Sequence, residues 1–292
     1  MSETLDACPL CANSTFSHFL TVKDYLVTHK SFDLVTCNQC SFIFTNPRPS
    51  YQEISNYYQS EDYISHSDRS SGLMDTLYFL ARNFMLRRKF NWLKQYTQNK
   101  GPVLDYGCGT GAFIQYLLKK DWPAYGVEPE DGARRIANQS IPNTVFKHLG
   151  ELPVQQFTTI TLWHVLEHLH FLEEEFEKIL CLLDSEGSIV IAVPNCHSLD
   201  AQYYGQLWAG FDVPRHLSHF TPTTIQHLAK KHGMQVVKIL PLILDAYYIS
   251  LLSEKHQQGS ILNAIYQGFR SNLYARKNNM NYSSLVYILK HE

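Results

Sequence analysis

The sequence lacks the features that send a chain into a membrane or a secretory route. No apolar run reaches the ~18 residues of a membrane-spanning helix, because the nearest candidate, residues 239–252, is interrupted by Pro241 and Asp245. The opening segment, MSETLDACPL, contains neither the basic nor the apolar stretch of a signal peptide. We therefore expect a cytoplasmic protein without a membrane partner, in which thiols stay reduced.

The sequence also lacks an excess of charge of one sign. Its 25 Lys and Arg against 27 Asp and Glu give a formal net charge of −2. Because non-specific binding to nucleic acid depends on many Lys and Arg contacts to phosphates, this balance gives no strong nucleic-acid signal. With 45% hydrophobic residues, the 292-residue chain can bury a sizeable core. Neither composition nor pattern indicates the oligomeric state.

Four of the seven cysteines form two C-x2-C pairs, Cys8 with Cys11 and Cys37 with Cys40. Two such pairs predict a tetrahedral Zn²⁺ site, which is structural because four thiolates leave no open position. Two disulfides are disfavoured in the cytoplasm, and a redox C-x2-C does not need two copies. The remaining three are expected to be ordinary small residues: Cys108, Cys181 and Cys196.

The order of predicted elements changes along the chain. Alternating segments between the cysteine pairs predict short strands, helical spacing follows, and strand–helix alternation begins at residue 101. Such alternation predicts an α/β fold with a parallel sheet covered by helices on both faces. The C-terminal region shows no clear period. We predict a zinc ribbon (1–45), a helical lid or linker (46–100), a main α/β domain (101–244) and an extension that completes it (245–292).

A glycine-rich loop lies between a predicted strand and a predicted helix. It contains Gly107, Gly109 and Gly111, and Glu128 ends the next predicted strand. Glycines let a ligand approach the backbone, and an acid there can accept hydrogen bonds from ribose hydroxyls. The spacing also fits a dinucleotide fingerprint, so NAD is a competing cofactor. Asp105 discriminates, because its carboxylate is unfavourable beside a pyrophosphate but favourable near the amino group of S-adenosylmethionine (SAM).

This loop, together with Glu128, resembles motif I and the second-strand acid of class I SAM-dependent methyltransferases. Residues 163–169, Pro194-Asn195 and residues 208–222 resemble further signatures of one branch of that family. The resemblance covers roughly residues 101–240. Some members of the branch, including sugar methyltransferases, carry a four-cysteine ribbon before the catalytic domain. The resemblance implies a Rossmann-like class I methyltransferase sheet with helices on both faces, preceded by a small zinc ribbon.

The resemblance also implies how SAM is bound. The glycines would lie under its methionine and ribose portions, Asp105 near its amino group, and Glu128 at the ribose hydroxyls. Residues near Glu151 would flank the adenine, and Trp163 with His164 would line the methionine pocket. The predicted cofactor residues are Asp105, Gly107, Gly109, Gly111, Glu128, Glu151, Trp163 and His164.

Histidines are concentrated in two segments that follow predicted strands. In the first, His164, Glu167 and His168 spell the H-x-x-E-H motif of inverted zinc proteases. We disfavour a protease, because the motif begins where a buried strand ends and has no obvious third ligand. His168 and His170 could instead cap and solvate a helix, whereas the resemblance implies that Glu167 and His164 face the cofactor region.

The second segment runs from Asp212 to His219, and a loop at the carboxyl edge of a parallel sheet is where ligands bind. Methyl transfer is a displacement at the sulfonium methyl, and a histidine suits removal of the acceptor's proton. His216 is our first candidate for the general base and His164 our second. The alternative is that these histidines only orient the loop, with proximity supplying the rate. The predicted substrate-binding residues are Glu167, His168, Asp212, Arg215 and His219.

The sequence therefore predicts SAM-dependent methyl transfer to a small polar metabolite, such as a sugar or nucleotide-sugar. C-methylating sugar relatives carry Tyr-His-Glu-His, of which only His216 is matched here, so O- or N-methylation is favoured. The expected cofactors are SAM and Zn²⁺, and the expected partner is a small-molecule methyl acceptor. The alternatives are an NAD(P)-dependent oxidoreductase and a non-catalytic SAM-fold module whose ribbon docks a macromolecule.

Overall fold

The computed structural model describes residues 2–58, 73–97 and 100–292. Within these ranges, no helix is both long enough and apolar enough to cross a membrane. Residues 59–72 of the predicted helical lid lie outside the described residues. The strands are β1 (Ser2–Glu3), β2 (Phe16–Lys23), β3 (Ser31–Cys37), β4 (Ile43–Thr45), β5 (Arg48–Pro49), β6 (Val103–Tyr106), β7 (Ala124–Val127), β8 (Val145–Phe146), β9 (Phe157–Trp163), β10 (Leu183–Pro194), β11 (Ser218–His219), β12 (Met234–Pro241) and β13 (Ser284–His291).

The helices alternate with the strands from residue 112 onwards. The α-helices are α1 (Leu73–Tyr96), α2 (Ala112–Leu118), α3 (Asp131–Ser140), α4 (Leu172–Leu180), α5 (Leu199–Tyr204), α6 (Pro222–Lys231), α7 (Asp245–His256) and α8 (Ile261–Lys277). Single turns of 3-10 helix span Ile54–Tyr58, Leu149–Glu151, Leu166–His168, Gly205–Leu207 and Ala209–Phe211.

The central sheet has seven strands in the order β12-β13-β10-β9-β6-β7-β8. The five strands from β10 to β8 run parallel, and β13 lies antiparallel between β10 and β12. Parallel neighbours need crossover connections, and the helices between them supply these. The predicted α/β fold is therefore confirmed.

Both faces of this sheet are covered. Along β10, Ile189, Ile191 and Val193 belong to one hydrophobic cluster, whereas Val190 and Ala192 belong to another. Successive side chains of a strand point to opposite faces, so each cluster lies on one side of the sheet. This two-sided burial explains why the strand reads as a continuous apolar run in the sequence.

A second sheet joins the cysteine-bearing N-terminus to a distant loop. Its order is β11-β4-β3-β2, and all neighbouring pairs are antiparallel. The segment that carries the predicted general base therefore adds a strand to the sheet of the ribbon. Thr45 reinforces this junction, because its N–H donates to the Leu217 carbonyl and its hydroxyl donates to the His216 carbonyl, each at 3.0 Å. Residues predicted to lie in different domains thus share one sheet.

A buried ion pair fastens the same junction. Arg215 is 1% exposed, and its Nη2 lies 3.2 Å from Asp24 Oδ1 and 2.6 Å from Asp212 Oδ1. Arg215 Nη1 also donates to the Tyr57 carbonyl at 3.1 Å. Asp24 is fully buried between β2 and β3, where it accepts hydrogen bonds from the N–H and hydroxyl of Thr28. One guanidinium therefore holds a ribbon loop and the 212–216 loop together.

The C-terminal region contains two helices, α7 and α8, that the sequence did not indicate. The buried face of α8 consists of small or polar residues: Ala264, Gln267, Gly268, Ser271 and Ala275. A Cβ added at Gly268 would lie 2.9 Å from Tyr247 Cα, so the close approach of the two helices depends on this glycine. Large apolar side chains such as Leu262 and Phe269 are exposed. The usual pattern of large apolar residues facing inward is therefore absent.

We expect Arg215→Ala to lower the free energy of unfolding by about 3–5 kcal/mol, because it leaves the Asp24 carboxylate buried without its countercharge. Urea unfolding at neutral pH measures this change. Lys178→Ala is the matched control, since Lys178 is 59% exposed and its ion pair with Glu175 should contribute at most about 1 kcal/mol. Small and equal losses in both variants would show that the buried pair does not hold the junction.

Candidate active site

The glycine-rich loop follows β6 at the carboxyl edge of the parallel strands. Its glycines have positive φ angles of 71° at Gly107, 55° at Gly109 and 73° at Gly111. A Cβ at Gly107 would lie 2.5 Å from the Val165 side chain, and one at Gly111 would lie 2.9 Å from that of Ile141. A Cβ at Gly109 would meet no atom within 4 Å. Packing therefore requires the outer two glycines, and Gly109 leaves open space that a ligand can enter.

Glu128 closes this loop from the end of the neighbouring strand, β7. Its Oε2 accepts a hydrogen bond from Gly109 N at 2.8 Å, and its Oε1 accepts one from Glu130 N at 2.9 Å. Burial raises the pKa of the Glu128 carboxyl, against the effect of these two N–H groups. Each carboxylate oxygen keeps a further lone pair, so Glu128 can also accept hydrogen bonds from ligand hydroxyls beside Gly109.

A buried carboxylate and an ammonium group lie close to the loop. Asp105 is 3% exposed and accepts a hydrogen bond from the Thr161 hydroxyl at 2.6 Å, and burial raises the pKa of Asp105 to about 6. Lys89 comes from α1, and its Nζ lies 4.2 Å from the centroid of the Trp163 ring. Burial lowers the pKa of Lys89 to about 8, although the Asp105 and Asp245 carboxylates oppose the shift. Both signs of charge therefore lie beside an aromatic face, which suits a zwitterionic ligand that carries a cationic centre.

His164 follows β9 directly and lies between two carboxylates. Its Nδ1 is 3.3 Å from Glu167 Oε1, and its Nε2 is 3.1 Å from Asp245 Oδ2. Although burial disfavours the charged ring, the two carboxylates raise the pKa of His164 to about 10. Its φ of 57° is uncommon for a residue other than glycine and marks strained backbone. His164 is therefore an imidazolium at neutral pH and has no free lone pair.

Two further imidazoles face each other, with the ring centroids of His168 and His216 4.6 Å apart. His168 Nδ1 lies 3.0 Å from both the Arg215 carbonyl and the Tyr58 hydroxyl. His216 Nδ1 lies 2.9 Å from the Gly210 carbonyl. A carbonyl oxygen only accepts hydrogen bonds, so these contacts assign the proton of each ring to Nδ1. In the neutral form of each ring, Nε2 therefore carries the lone pair.

Residues 76–239 match the family described as methyltransferase domain, which covers more than half of the 292 residues. The chain belongs to this methyltransferase family. The matched residues include the glycine-rich loop and both histidine segments, so the resemblance inferred from the sequence is confirmed.

Two curated bacterial relatives of this methyltransferase domain are each named as an uncharacterized methyltransferase. One, from Alkaliphilus oremlandii, is 33% identical over 101 residues, which is 32% of this chain and 46% of that protein. The other, from Anoxybacillus flavithermus, is 29% identical over 148 residues, which is 46% of this chain and 69% of that protein. The chain thus spans less than half the length of the first relative.

Solved methyltransferases share the fold at low sequence identity. The magnesium protoporphyrin IX methyltransferase of Synechocystis PCC 6803, determined with bound S-adenosylhomocysteine (SAH), is 13% identical. It superposes with a TM-score of 0.54 over 83% of this chain and 100% of its own. A SAM-dependent methyltransferase of Thermotoga maritima, titled a possible histamine N-methyltransferase, is 15% identical, with a TM-score of 0.50 over 75% of this chain and 95% of its own. These likenesses show the class I methyltransferase fold.

Three of the predicted substrate residues of the methyltransferase are engaged with other protein groups. Asp212 accepts hydrogen bonds from Arg215 Nε at 3.0 and 3.1 Å and has a φ of 34°. His219 Nε2 lies 3.3 Å from the Thr45 hydroxyl, and burial lowers the pKa of His219 to about 3. The contacts of these residues with a substrate therefore stay predictions, whereas their role in holding the loop is visible.

Two other predicted residues lie at the margins of the methyltransferase site. Glu151 is exposed in the turn after β8, and its Oε2 accepts a hydrogen bond from Lys147 N at 3.1 Å. His170 Nε2 lies 2.8 Å from Glu3 Oε1, so it binds the first strand of the chain rather than capping a helix. The suggestion that His168 and His170 cap a helix was wrong, because both rings contact groups outside their own segment.

The four predicted metal-binding cysteines come together in the ribbon. Their sulfur atoms all lie within 4.8 Å of one another. Cys8 Sγ is 3.7 Å from Cys40 Sγ, and Cys11 Sγ is 3.5 Å from Cys37 Sγ. A disulfide requires a distance of about 2.05 Å, whereas sulfurs about 2.3 Å from a tetrahedral zinc ion are separated by about 3.8 Å. The sulfur positions therefore fit Zn²⁺ and do not fit disulfides.

The site contains three residues that sequence reasoning missed: Lys89, Asp245 and Tyr58. Lys89 belongs to a basic stretch of α1 that has the pattern of an ordinary solvated helix face. Asp245 lies in the C-terminal region without a clear period. Two of the three had weak signals in the sequence, because the basic stretch with Lys89 is also compatible with a patch for an anionic substrate, and Tyr58 belongs to the aromatic-rich predicted lid. Asp245 had no such signal.

If Glu128 accepts hydrogen bonds from the ribose as predicted, Glu128→Ala should weaken SAH binding by on the order of 1–3 kcal/mol, because a charge-assisted hydrogen bond is lost. Isothermal titration calorimetry measures the affinity. Glu130→Ala is the control, since the Glu130 carboxylate caps α3 through the N–H groups of Gly132 and Ala133. We expect it to cost about 1 kcal/mol of stability and to leave SAH affinity unchanged. An unchanged affinity in Glu128→Ala would remove Glu128 from the cofactor site.

Proposed function

We propose that this protein catalyses SAM-dependent methyl transfer to a small polar acceptor. The observation that carries the proposal is the hydrogen bond from Gly109 N to Glu128 at the carboxyl edge of two parallel strands. It occurs in a chain that belongs to the methyltransferase domain family. Ligands of open α/β sheets bind at this edge. The Glu128 carboxylate, beside the open space at Gly109, can accept hydrogen bonds from the hydroxyls of a ribose there.

The described side chains match the separate parts of SAM. Glu128 provides acceptors for the ribose hydroxyls, ionised Asp105 attracts the amino group, and Lys89 supplies positive charge for the methionine carboxylate. The face of Trp163 favours a cationic sulfonium. A dinucleotide fits less well, because its pyrophosphate would approach the carboxylates of Asp105 and Glu128. Bound SAM supplies the electrophilic methyl group.

The acceptor site is proposed at the imidazoles of His168 and His216. Methyl transfer is an in-line displacement, in which the protein aligns the nucleophile and provides for loss of its proton. His216 retains a lone pair at Nε2, because its Nδ1 proton is donated to the Gly210 carbonyl. His164 has no lone pair at neutral pH, since it is held between Glu167 and Asp245. This geometry favours His216 over His164 in proton removal.

A sugar or nucleotide-sugar, methylated on oxygen or nitrogen, is the substrate class that we favour. Support comes from the resemblance of residues 208–222 to a branch that includes sugar methyltransferases. The polar character of the proposed acceptor site also supports it, because Glu167, His168 and His216 are polar groups that can bind hydroxyls. Only part of the sugar C-methylation pattern is present, so we do not extend the proposal to carbon acceptors.

We also propose that Zn²⁺ is bound by the four cysteines. Support comes from the four sulfur donors and their separations, which suit tetrahedral zinc. The zinc would act through structure, since it fixes β3 and β4 next to β11. We call residues 212–216 the acceptor loop. Because β11 begins two residues after His216, the metal would stabilise the position of this loop.

SAH should raise the melting temperature of the purified protein, whereas NAD⁺ at the same concentration should not, because only the ligand that binds the native state stabilises it. Labelled SAM incubated with a panel of nucleotide-sugars then identifies the acceptor by transfer of the label. Stabilisation by NAD⁺ instead of SAH would favour an oxidoreductase. Binding of SAH without transfer to any acceptor, together with retention of a macromolecular partner, would favour a non-catalytic module.

Removal of zinc with a chelator should speed amide hydrogen exchange in β4 and in residues 217–219, because the ribbon sheet then loses its anchor. Hydrogen exchange followed by mass spectrometry measures both segments in one sample. The amides of β6 and β7 serve as an internal control and should keep their protection, since they lie in the central sheet. Unchanged exchange in residues 217–219 would show that the metal does not support the acceptor loop.

A further inference from the structure

We propose that Glu167, His168 and His216 form a second metal site, which binds one divalent transition-metal cation. One ligand atom from each residue lies within 4.8 Å of the other two. The site differs from the cysteine cluster in position and in donors, since it offers two imidazole nitrogens and a carboxylate. The same two histidines line the proposed acceptor site, so such a cation could bind the methyl acceptor directly.

The two histidines are oriented as metal-binding histidines are. A metal-binding imidazole presents one nitrogen to the ion and donates the N–H of the other to a carbonyl or a carboxylate. His168 Nδ1 meets the Arg215 carbonyl at 3.0 Å, and His216 Nδ1 meets the Gly210 carbonyl at 2.9 Å. The two Nε2 lone pairs are therefore left for a ligand, with the rings 4.6 Å apart.

Glu167 supplies the negative charge and is incompletely satisfied without a ligand. It is 1% exposed, and neither of its carboxylate oxygens has a hydrogen bond. His164 Nδ1 lies 3.3 Å from Oε1 as an ion-pair contact only. The charged His164 ring balances part of the Glu167 charge, but Oε2 is left without a donor. A buried carboxylate oxygen without a hydrogen bond is costly, and a bound cation removes this cost.

The arrangement is difficult to explain by the protein groups alone. One nitrogen of each ring and one carboxylate oxygen of Glu167 lie within 4.8 Å of one another. In the neutral form of both rings, an Nε2 atom has no proton to offer to Glu167. Asp212 Oδ2 adds negative charge 4.0 Å from His216 Nε2, while the nearby Arg215 is already occupied by Asp24 and Asp212. A bound cation would accept electron pairs from the ring nitrogens and from the Glu167 oxygen, which have no donor among these residues.

The donor set indicates the kind of cation. Imidazole nitrogens suit Zn²⁺, Fe²⁺, Co²⁺ and Ni²⁺, whereas Mg²⁺ and Ca²⁺ prefer oxygen donors. Three protein ligands leave coordination positions open, as catalytic sites do and structural zinc sites do not. An open position can bind an acceptor hydroxyl.

The use of the cation rests on the proposed function, but its binding does not. A hydroxyl bound to a divalent cation loses its proton to solvent more readily. Its oxygen then bonds to the methyl carbon of SAM as the carbon–sulfur bond breaks, and the bonding electron pair stays on sulfur to give SAH. With the cation bound, His216 Nε2 is a ligand that keeps the acceptor in line, and solvent replaces it as the proton acceptor. Without the cation, His216 would take the proton itself.

The test is a Co²⁺ titration of the 292-residue protein with zinc retained at the cysteines, followed by visible absorption and by metal analysis. We expect one Co²⁺ per chain in addition to the zinc, without the sulfur-to-cobalt absorption that a thiolate site would give. Loss of zinc during the titration would be detected by the metal analysis and corrected by adding zinc. Absence of a second metal ion in the unmodified protein would overturn the inference.

Two variants and one control assign the site. Glu167→Gln keeps the shape of the side chain, and His216→Asn keeps a donor for the Gly210 carbonyl while removing Nε2. We expect each to bind Co²⁺ at least tenfold more weakly, with near-ultraviolet circular dichroism confirming that each is folded. His227→Asn changes an exposed histidine of α6 and should bind Co²⁺ normally.

Unchanged Co²⁺ binding in both site variants would overturn the inference. SAH binding without a second metal ion would also overturn it, while leaving the proposed function intact.

Discussion

The guanidinium of Arg215 is the point on which the relation between the ribbon and the acceptor loop depends. It is almost fully buried, and it is shared by Asp24 of the ribbon and Asp212 of the loop. A buried ion pair gives less net stability than apolar packing of the same volume, but breaking it leaves an uncompensated charge. The main effect of the ion pair is therefore to fix the position of the two segments relative to each other, because both carboxylates must reach the same guanidinium. The antiparallel pairing of β4 with β11 adds backbone hydrogen bonds to the same junction.

This constraint supports backbone conformations that would be unfavourable alone. His164 and Asp212 both have positive φ angles, of 57° and 34°, and neither is glycine. Each such residue costs on the order of 1–3 kcal/mol and persists only when its surroundings fix it. Asp212 is fixed by Arg215, and His164 by the carboxylates of Glu167 and Asp245. Asp212 lies in the loop that carries His216, and His164 begins the segment that carries His168, so both strained residues are close in sequence to the histidine pair.

Local patterns in the sequence predicted the α/β alternation and the position of the glycine-rich loop between a strand and a helix, whereas the contacts of this loop with a cofactor stay predictions. Gly107, Gly109 and Glu128 are set by turn geometry and by the edge of the sheet, so their spacing alone predicts where they lie. The cysteine pairs were predictable for the same reason, because each pair forms its own turn. Lys89 and Asp245 were not, since each reaches the site from an element far away in the sequence. α8 was missed because its inward face is made of small residues, and helical periodicity is recognised from large ones.

The histidines show most clearly why a motif can name residues without assigning their roles. The hydrogen-bond partners of a ring decide which nitrogen carries a proton, and these partners come from distant segments. His164 is charged between two carboxylates, whereas His168 and His216 each donate from Nδ1 to a backbone carbonyl.

In the H-x-x-E-H segment, the first histidine is therefore unsuited to bind a metal, although the sequence alone presents it as a ligand. The third ligand of the metal site that we propose is instead His216, which no spacing rule within the motif could supply. It reaches Glu167 because the loop that carries it is tied to the ribbon, so the chemistry of the site depends on the same junction as the packing of the N-terminal segment.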